Sequence, residues 1–141
     1  MIELIIGLKG SGKTKTLIDK VNAASNVSKG NVVCVEFGKK LTFNVNSNVR
    51  LIDVLDYNVK NGESLYGFIC GIFSSNYDIT EIYIDSALKM CEDKVADFEE
   101  FISKLAKCAE KYDIKCFITS SIANEDLPET LKKYVVCAET L

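Results

Sequence analysis

The strongest constraint on the fold is an alternation, sustained from end to end, of short apolar runs with segments of helical period. Ile2-Glu3-Leu4-Ile5-Ile6 is apolar, largely β-branched and stops at Gly7, the pattern of a strand buried on both faces. Leu17, Ile18 and Val21 recur at helical spacing and predict a helix from Lys13 to Ala24. After the loop signal Ser28-Lys29-Gly30-Asn31, Val32 to Phe37 reads as a second buried strand and Val49 to Val54 as another. Between them, Leu41, Phe43 and Val45 alternate like a half-exposed strand. Leu65, Phe68, Ile69, Ile72 and Phe73 predict a helix with start signal Asn61-Gly62 and stop signal Asn76. Glu81 to Asp85 is a strand pattern. A longer helix is predicted from Asp93 to Tyr112, apolar along Val95, Phe98, Ile102, Leu105 and Ala109 and charged on the other side. Lys115 to Ser120 is a further strand, a short helix starts at Pro128, and Tyr134 to Cys137 closes the chain as a strand.

Alternation of this kind implies βαβ crossovers and an α/β fold, a three-layer α/β/α sandwich around a mainly parallel sheet. With 141 residues and no linker or repeat, one domain spans 1–141. Ligands in such sheets bind at the carboxyl ends of the strands, which singles out Gly7, Glu36, Asp85 and Thr119.

Composition then removes chemistry. Histidine and tryptophan are absent, Pro128 is the only proline, and Arg50 is the only arginine among 17 basic side chains. Without histidine there is no Ser-His-Asp triad, no Cys-His pair and no His-ligated zinc. Against 20 acidic side chains the net charge is −3, so no strong nucleic-acid signal is present. The six cysteines form no C-x-x-C pair and read as small buried hydrophobes, including Cys34, Cys116 and Cys137 within apolar runs. The longest apolar run outside the first strand, Leu65 to Phe73, is far too short for a membrane span. With no leader-like start, a cytoplasmic location is expected.

Gly7-Leu8-Lys9-Gly10-Ser11-Gly12-Lys13-Thr14 matches G-x-x-x-x-G-K-[ST] between a predicted strand and a predicted helix. Glycines let successive backbone N–H groups turn onto phosphate oxygens, and a helix start adds its positive dipole end. Gly7, Lys9, Gly10, Ser11, Gly12, Lys13, Thr14 and Lys15 are the expected phosphate-binding residues. Lys13 would neutralise the β- and γ-phosphates, and the Thr14 hydroxyl would join a magnesium shell. By this string the chain resembles the P-loop NTPases. Glu81-Ile82-Tyr83-Ile84-Asp85-Ser86 resembles a Walker B element, which makes Asp85 a magnesium carboxylate, with a helix-cap role as the plainer reading.

The finer resemblance is to RecA-like ATPases, in which Walker B ends in Asp-Ser and a water-activating glutamate closes the second strand. It implies that Glu36 orients or deprotonates the attacking water; the alternative is a solvated strand-end charge. It also implies that Thr119, ending the strand between the P-loop and Walker B strands, senses the γ-phosphate or the water; otherwise it is a buried hydroxyl bonded locally. The loop is shared with secretion ATPases of the twitching-motility type, but those carry histidine motifs that this chain lacks. The guanine-reading Asn-Lys-x-Asp string is also missing, which favours ATP over GTP. The implied activity is ATP–Mg²⁺ binding with slow hydrolysis, stimulated by an unknown protein partner or by self-association. A small-molecule kinase and a non-hydrolysing regulatory module are the alternatives. Arg50, Lys39 or Lys40 could supply a missing cation across an interface.

Overall fold

The computed structural model describes residues 1–139. Six strands form one sheet: β1 (Ile2–Gly7), β2 (Asn31–Glu36), β3 (Arg50–Asp53), β4 (Ile79–Ile84), β5 (Lys115–Ser121) and β6 (Val135–Glu139). Their order is β3-β2-β4-β5-β1-β6, and every neighbouring pair is parallel. The fold is therefore α/β with an all-parallel sheet. Strand β5 lies between β1 and β4, the position expected of the strand that carries Thr119.

The helices are α1 (Lys13–Val27), α2 (Gly62–Ser75), α3 (Ala87–Met90) and α4 (Val95–Tyr112), with 3-10 turns at Val54–Tyr57, Asn124–Asp126 and Glu129–Tyr134. Helix α2 starts where Asn61 and Ser64 form a reciprocal capping box, so the Asn-Gly start signal has a specific chemical basis. Pro128 precedes a 3-10 turn rather than an α-helix, and the four-residue α3 has no counterpart in the sequence reading. Four residues are too few to show a helical period.

Alternate residues of each inner strand feed two separate cores. Leu4, Ile6, Val33, Val35, Ile82, Ile84, Cys116 and Ile118 pack with α2, α3 and α4. Ile5, Val32, Cys34, Tyr83 and Phe117 pack on the other face with Leu17 and Val21 of α1. Helices thus cover both faces. Burial on both sides is why these strands read as unbroken apolar runs rather than as alternations.

Two expectations are corrected. The segment from Lys39 to Asn48 is not a strand. Val45 N–H donates to the Leu41 carbonyl at 3.0 Å, a single helical turn, and Leu41, Val45 and Val49 drop into the core beside α1 while Phe43 is fully exposed. The side chains that matter are four apart, and Phe43 made them look two apart. Cys137 is exposed, because β6 is an edge strand. Cys34, Cys91 and Cys116 are buried as expected, whereas Cys70 and Cys108 are only half-buried. Burial pushes the Cys91 and Cys116 thiols up to about 12, and Cys34 higher still, which leaves them unreactive. No helix among the described residues is long and apolar enough to cross a membrane.

Candidate functional site

The carboxyl ends of β1, β2, β4 and β5 meet at one edge of the sheet. Register fixes this: Gly7 lies opposite Ser121, Glu36 opposite Asp53, and the Asp85 N–H donates to the Val35 carbonyl at 2.9 Å. Above these ends opens a cleft of about 540 Å³. One wall is the glycine-rich loop and the start of α1, through Lys9, Gly10, Gly12, Lys13, Thr14 and Lys15. The floor includes Asp85 and Thr119, and the remaining wall carries Lys40, Ser86, Leu88, Lys89, Asp93 and Ser121.

The loop holds its shape through its backbone. Gly10 and Gly12 adopt φ of 86° and 98°, where a side chain would be strained. Gly12 also serves as the N-cap of α1 with no side-chain cap, and the first turn of α1 carries no acidic residue. A helix start of this kind directs its first N–H groups and its positive dipole end toward the cleft. Lys13 is only 7% exposed. Its ammonium donates to the Leu8 carbonyl at 2.8 Å and to Ser11 Oγ at 3.4 Å, folded back along the loop.

Beneath the loop lies a knot of oxygen groups. Thr14 Oγ1 donates to Asp85, 3.1 Å from Oδ1, and Thr119 Oγ1 donates to the same oxygen at 2.7 Å. The Ser86 N–H donates to Thr119 Oγ1 at 2.9 Å, so that hydroxyl both gives and receives. Ser120 Oγ accepts from the Leu88 N–H at 3.3 Å. Asp85 is 5% exposed, and its carboxylate meets hydroxyls. No helix amide donates to it among the described residues, so nothing there gives it a capping role. Carboxylate and hydroxyl oxygens are the donors that suit a hard divalent cation such as magnesium. Among the described residues no three acidic or thiol side chains cluster as a metal cage.

Glu36 lies elsewhere. It is 2% exposed and does not line the cleft. Its Oε1 accepts from the Lys40 N–H at 2.8 Å and the Leu41 N–H at 3.0 Å, which ties down the loop after β2. Asp53, at the neighbouring strand end, accepts from the Gly38 N–H of the same loop at 2.8 Å and caps the 3-10 turn after its own strand through the Leu55 N–H at 3.0 Å. Burial alone would push the Asp53 carboxyl up; the two amides and Lys39 outweigh it and hold it below its ordinary range. Lys39 bridges Asp53 and Asp56, and hydrogen bonds to Asp56 first and Asp53 second raise its pKa. Glu36 is therefore an anchored group, not the solvated charge that was its alternative reading.

Of the sequence-predicted residues, Lys9, Gly10, Gly12, Lys13, Thr14, Lys15, Asp85 and Thr119 are brought together around the cleft. Gly7 and Ser11 shape the loop without lining it, and Glu36 stands apart. Sequence reading missed Ser86, Lys89, Asp93 and Ser121. Ser121 had a signal, lying two positions beyond Thr119 on the same strand and so on the same face, and Ser86 had one as the serine directly after Asp85. Of the three candidate cations, Arg50 opens β3 at the far end of the sheet, Lys39 is held by its two aspartates, and only Lys40 lines the cleft. No protein-family model matches the chain. No curated protein matches it either.

Proposed function

We propose that the chain is an ATP–Mg²⁺-binding domain of the P-loop NTPase kind, related in plan to the RecA-like cores. The observation that carries this reading is the convergence of Thr14, Asp85 and Thr119 directly beneath the glycine loop, with Thr14 and Thr119 both bonded to one carboxylate oxygen. Five lysines line the cleft against two aspartates, a balance suited to a polyanion that arrives with a divalent cation.

In this reading the loop N–H groups and the start of α1 cradle the phosphates. Lys13 exchanges its bonds to Leu8 and Ser11 for β- and γ-phosphate oxygens. Thr14 and Asp85 would hold magnesium, which would supply positive charge against the phosphates. Thr119, locked between Asp85 and the Ser86 N–H, keeps the carboxylate oriented.

The Glu36 carboxylate has one oxygen engaged by two loop amides. That supports slow basal turnover by the isolated chain, and favours as a second reading a nucleotide-binding module with little turnover. Isothermal calorimetry with ATP–Mg²⁺ tests the main reading. The wild type should bind and Lys13→Ala should lose at least about a hundredfold in affinity, because a buried charged contact is removed. Equally tight binding by the Lys13→Ala protein would sink the assignment. Phosphate release by the wild type, measured against the Lys13→Ala background, separates slow hydrolysis from binding without turnover.

A further inference from the structure

Lys39 and Lys40 are neighbours in the chain with opposite fates. Lys39 reaches two carboxylates, Asp53 at 3.1 Å and Asp56 at 2.7 Å. Lys40 makes no ion pair among the described residues and lines the cleft opposite the glycine loop. Its backbone is nonetheless fixed, since its N–H donates to the buried Glu36. The loop on which it sits is pinned at two further amides, Gly38 by Asp53 and Leu41 by Glu36.

The other cleft lysines have other positions or partners. Lys15 pairs with Asp19 at 3.6 Å. Lys89 sits 5.5 Å over the Phe37 ring, a contact that joins α3 to this same loop. Lys9 belongs to the glycine loop itself. Lys40 thus combines a fixed backbone, an ammonium with no ion pair among the described residues and a place in the cleft that Lys13 also lines.

We propose that Lys40 reads the terminal phosphate of the bound nucleotide within its own chain, and that Glu36 is the positioning residue that aims it. This rests on the nucleotide reading above and deepens it. The cation that a P-loop domain needs opposite its loop is then supplied in cis, by a lysine where most such sites use the more rigid arginine fork. Glu36 acts here through the Lys40 and Leu41 amides rather than on water.

The experiment compares Kd for ADP–Mg²⁺ and for a non-hydrolysable ATP analogue with Mg²⁺ by calorimetry. In the wild type the triphosphate is favoured. Lys40→Ala should cut that preference about tenfold, the size of one charged hydrogen bond, with ADP affinity retained as proof of folding. Lys40→Arg should restore most of it, and Lys29→Ala, at the opposite end of the sheet, should not change it. Glu36→Gln keeps an oxygen able to accept both amides, so it should stay within about threefold of the wild-type preference, whereas Glu36→Ala should approach Lys40→Ala.

Wild type that binds both nucleotides while Lys40→Ala leaves their ratio unchanged overturns the role of Lys40 alone. Glu36→Gln as damaging as Glu36→Ala overturns the positioning role and returns Glu36 to carboxylate chemistry. Wild type that binds neither nucleotide removes the nucleotide reading itself.

Discussion

The two loops that face each other across the cleft are built on opposite principles. The loop after β1 is shaped by its own backbone, with Gly10 and Gly12 in left-handed conformations and Lys13 folded onto a loop carbonyl. The loop after β2 is shaped from outside. Glu36 and Asp53, register partners at the ends of adjacent strands, accept three of its amides, those of Gly38, Lys40 and Leu41. Leu41, Val45 and Val49 hold its far portion against α1. A self-shaped loop leaves N–H groups over for a ligand, whereas a carboxylate-anchored loop has already used them. In the nucleotide reading proposed above, the first loop would offer main-chain donors to the phosphates and the second a side chain.

The sharpest way to break this contrast is to empty the second loop's core contact. Leu41→Ala should destabilise the fold by about 2–5 kcal/mol in chemical denaturation, because Leu41 is 3% exposed in a packed cluster. Removing the anchors comes next: Asp53→Ala should cost about 1–3 kcal/mol, leaving buried amides unpaired. Gly12→Ala acts on the first loop and should cost about 1–2 kcal/mol through its left-handed backbone alone. It should also weaken anion binding, which Asp53→Ala should not do directly. At the small end, Phe43→Ala should change stability by less than about 0.5 kcal/mol, since that ring is wholly exposed.

A pH titration sharpens the same comparison. The Asp53 pKa is held below its ordinary value in the fold. Its stabilisation is therefore complete above the unfolded value of about 3.9 and disappears as the pH falls through the lower native value. Asp53→Asn keeps one amide acceptor and should lose that part of the acid limb in a melting-temperature profile. Lys39, raised instead, contributes below its unfolded value of about 10.4 and loses its contribution as the pH rises through the native one. An acid limb unchanged in Asp53→Asn would show that the anchor carries no net charge effect.

Much of the fold was legible because strands buried on both faces leave apolar runs, and helices leave a 3.6-residue period. The first loop was legible for a related reason: its glycines, lysine and threonine stand at fixed short spacing, from Gly7 to Thr14. The second loop was not. Phe43 completed a false alternation with Leu41 and Val45, and nothing in the order of residues distinguishes its exposed ring from their buried side chains. Glu36 and Asp53 are 17 residues apart in number, and only strand pairing makes them neighbours.

The sequence by itself determined the α/β class, the strand that ends in Gly7, the loop string, and which acidic and hydroxyl residues fall at strand ends, because all of these are local in the chain. Only the tertiary structure decided that Thr119 and Thr14 share one carboxylate oxygen, that Glu36 grips a loop, and that of two adjacent lysines one is tied away and the other faces the cleft. Those outcomes depend on strand order and register, which bring Thr14 and Thr119 from 71 and 34 positions away onto Asp85 through hydrogen bonds that no local pattern encodes.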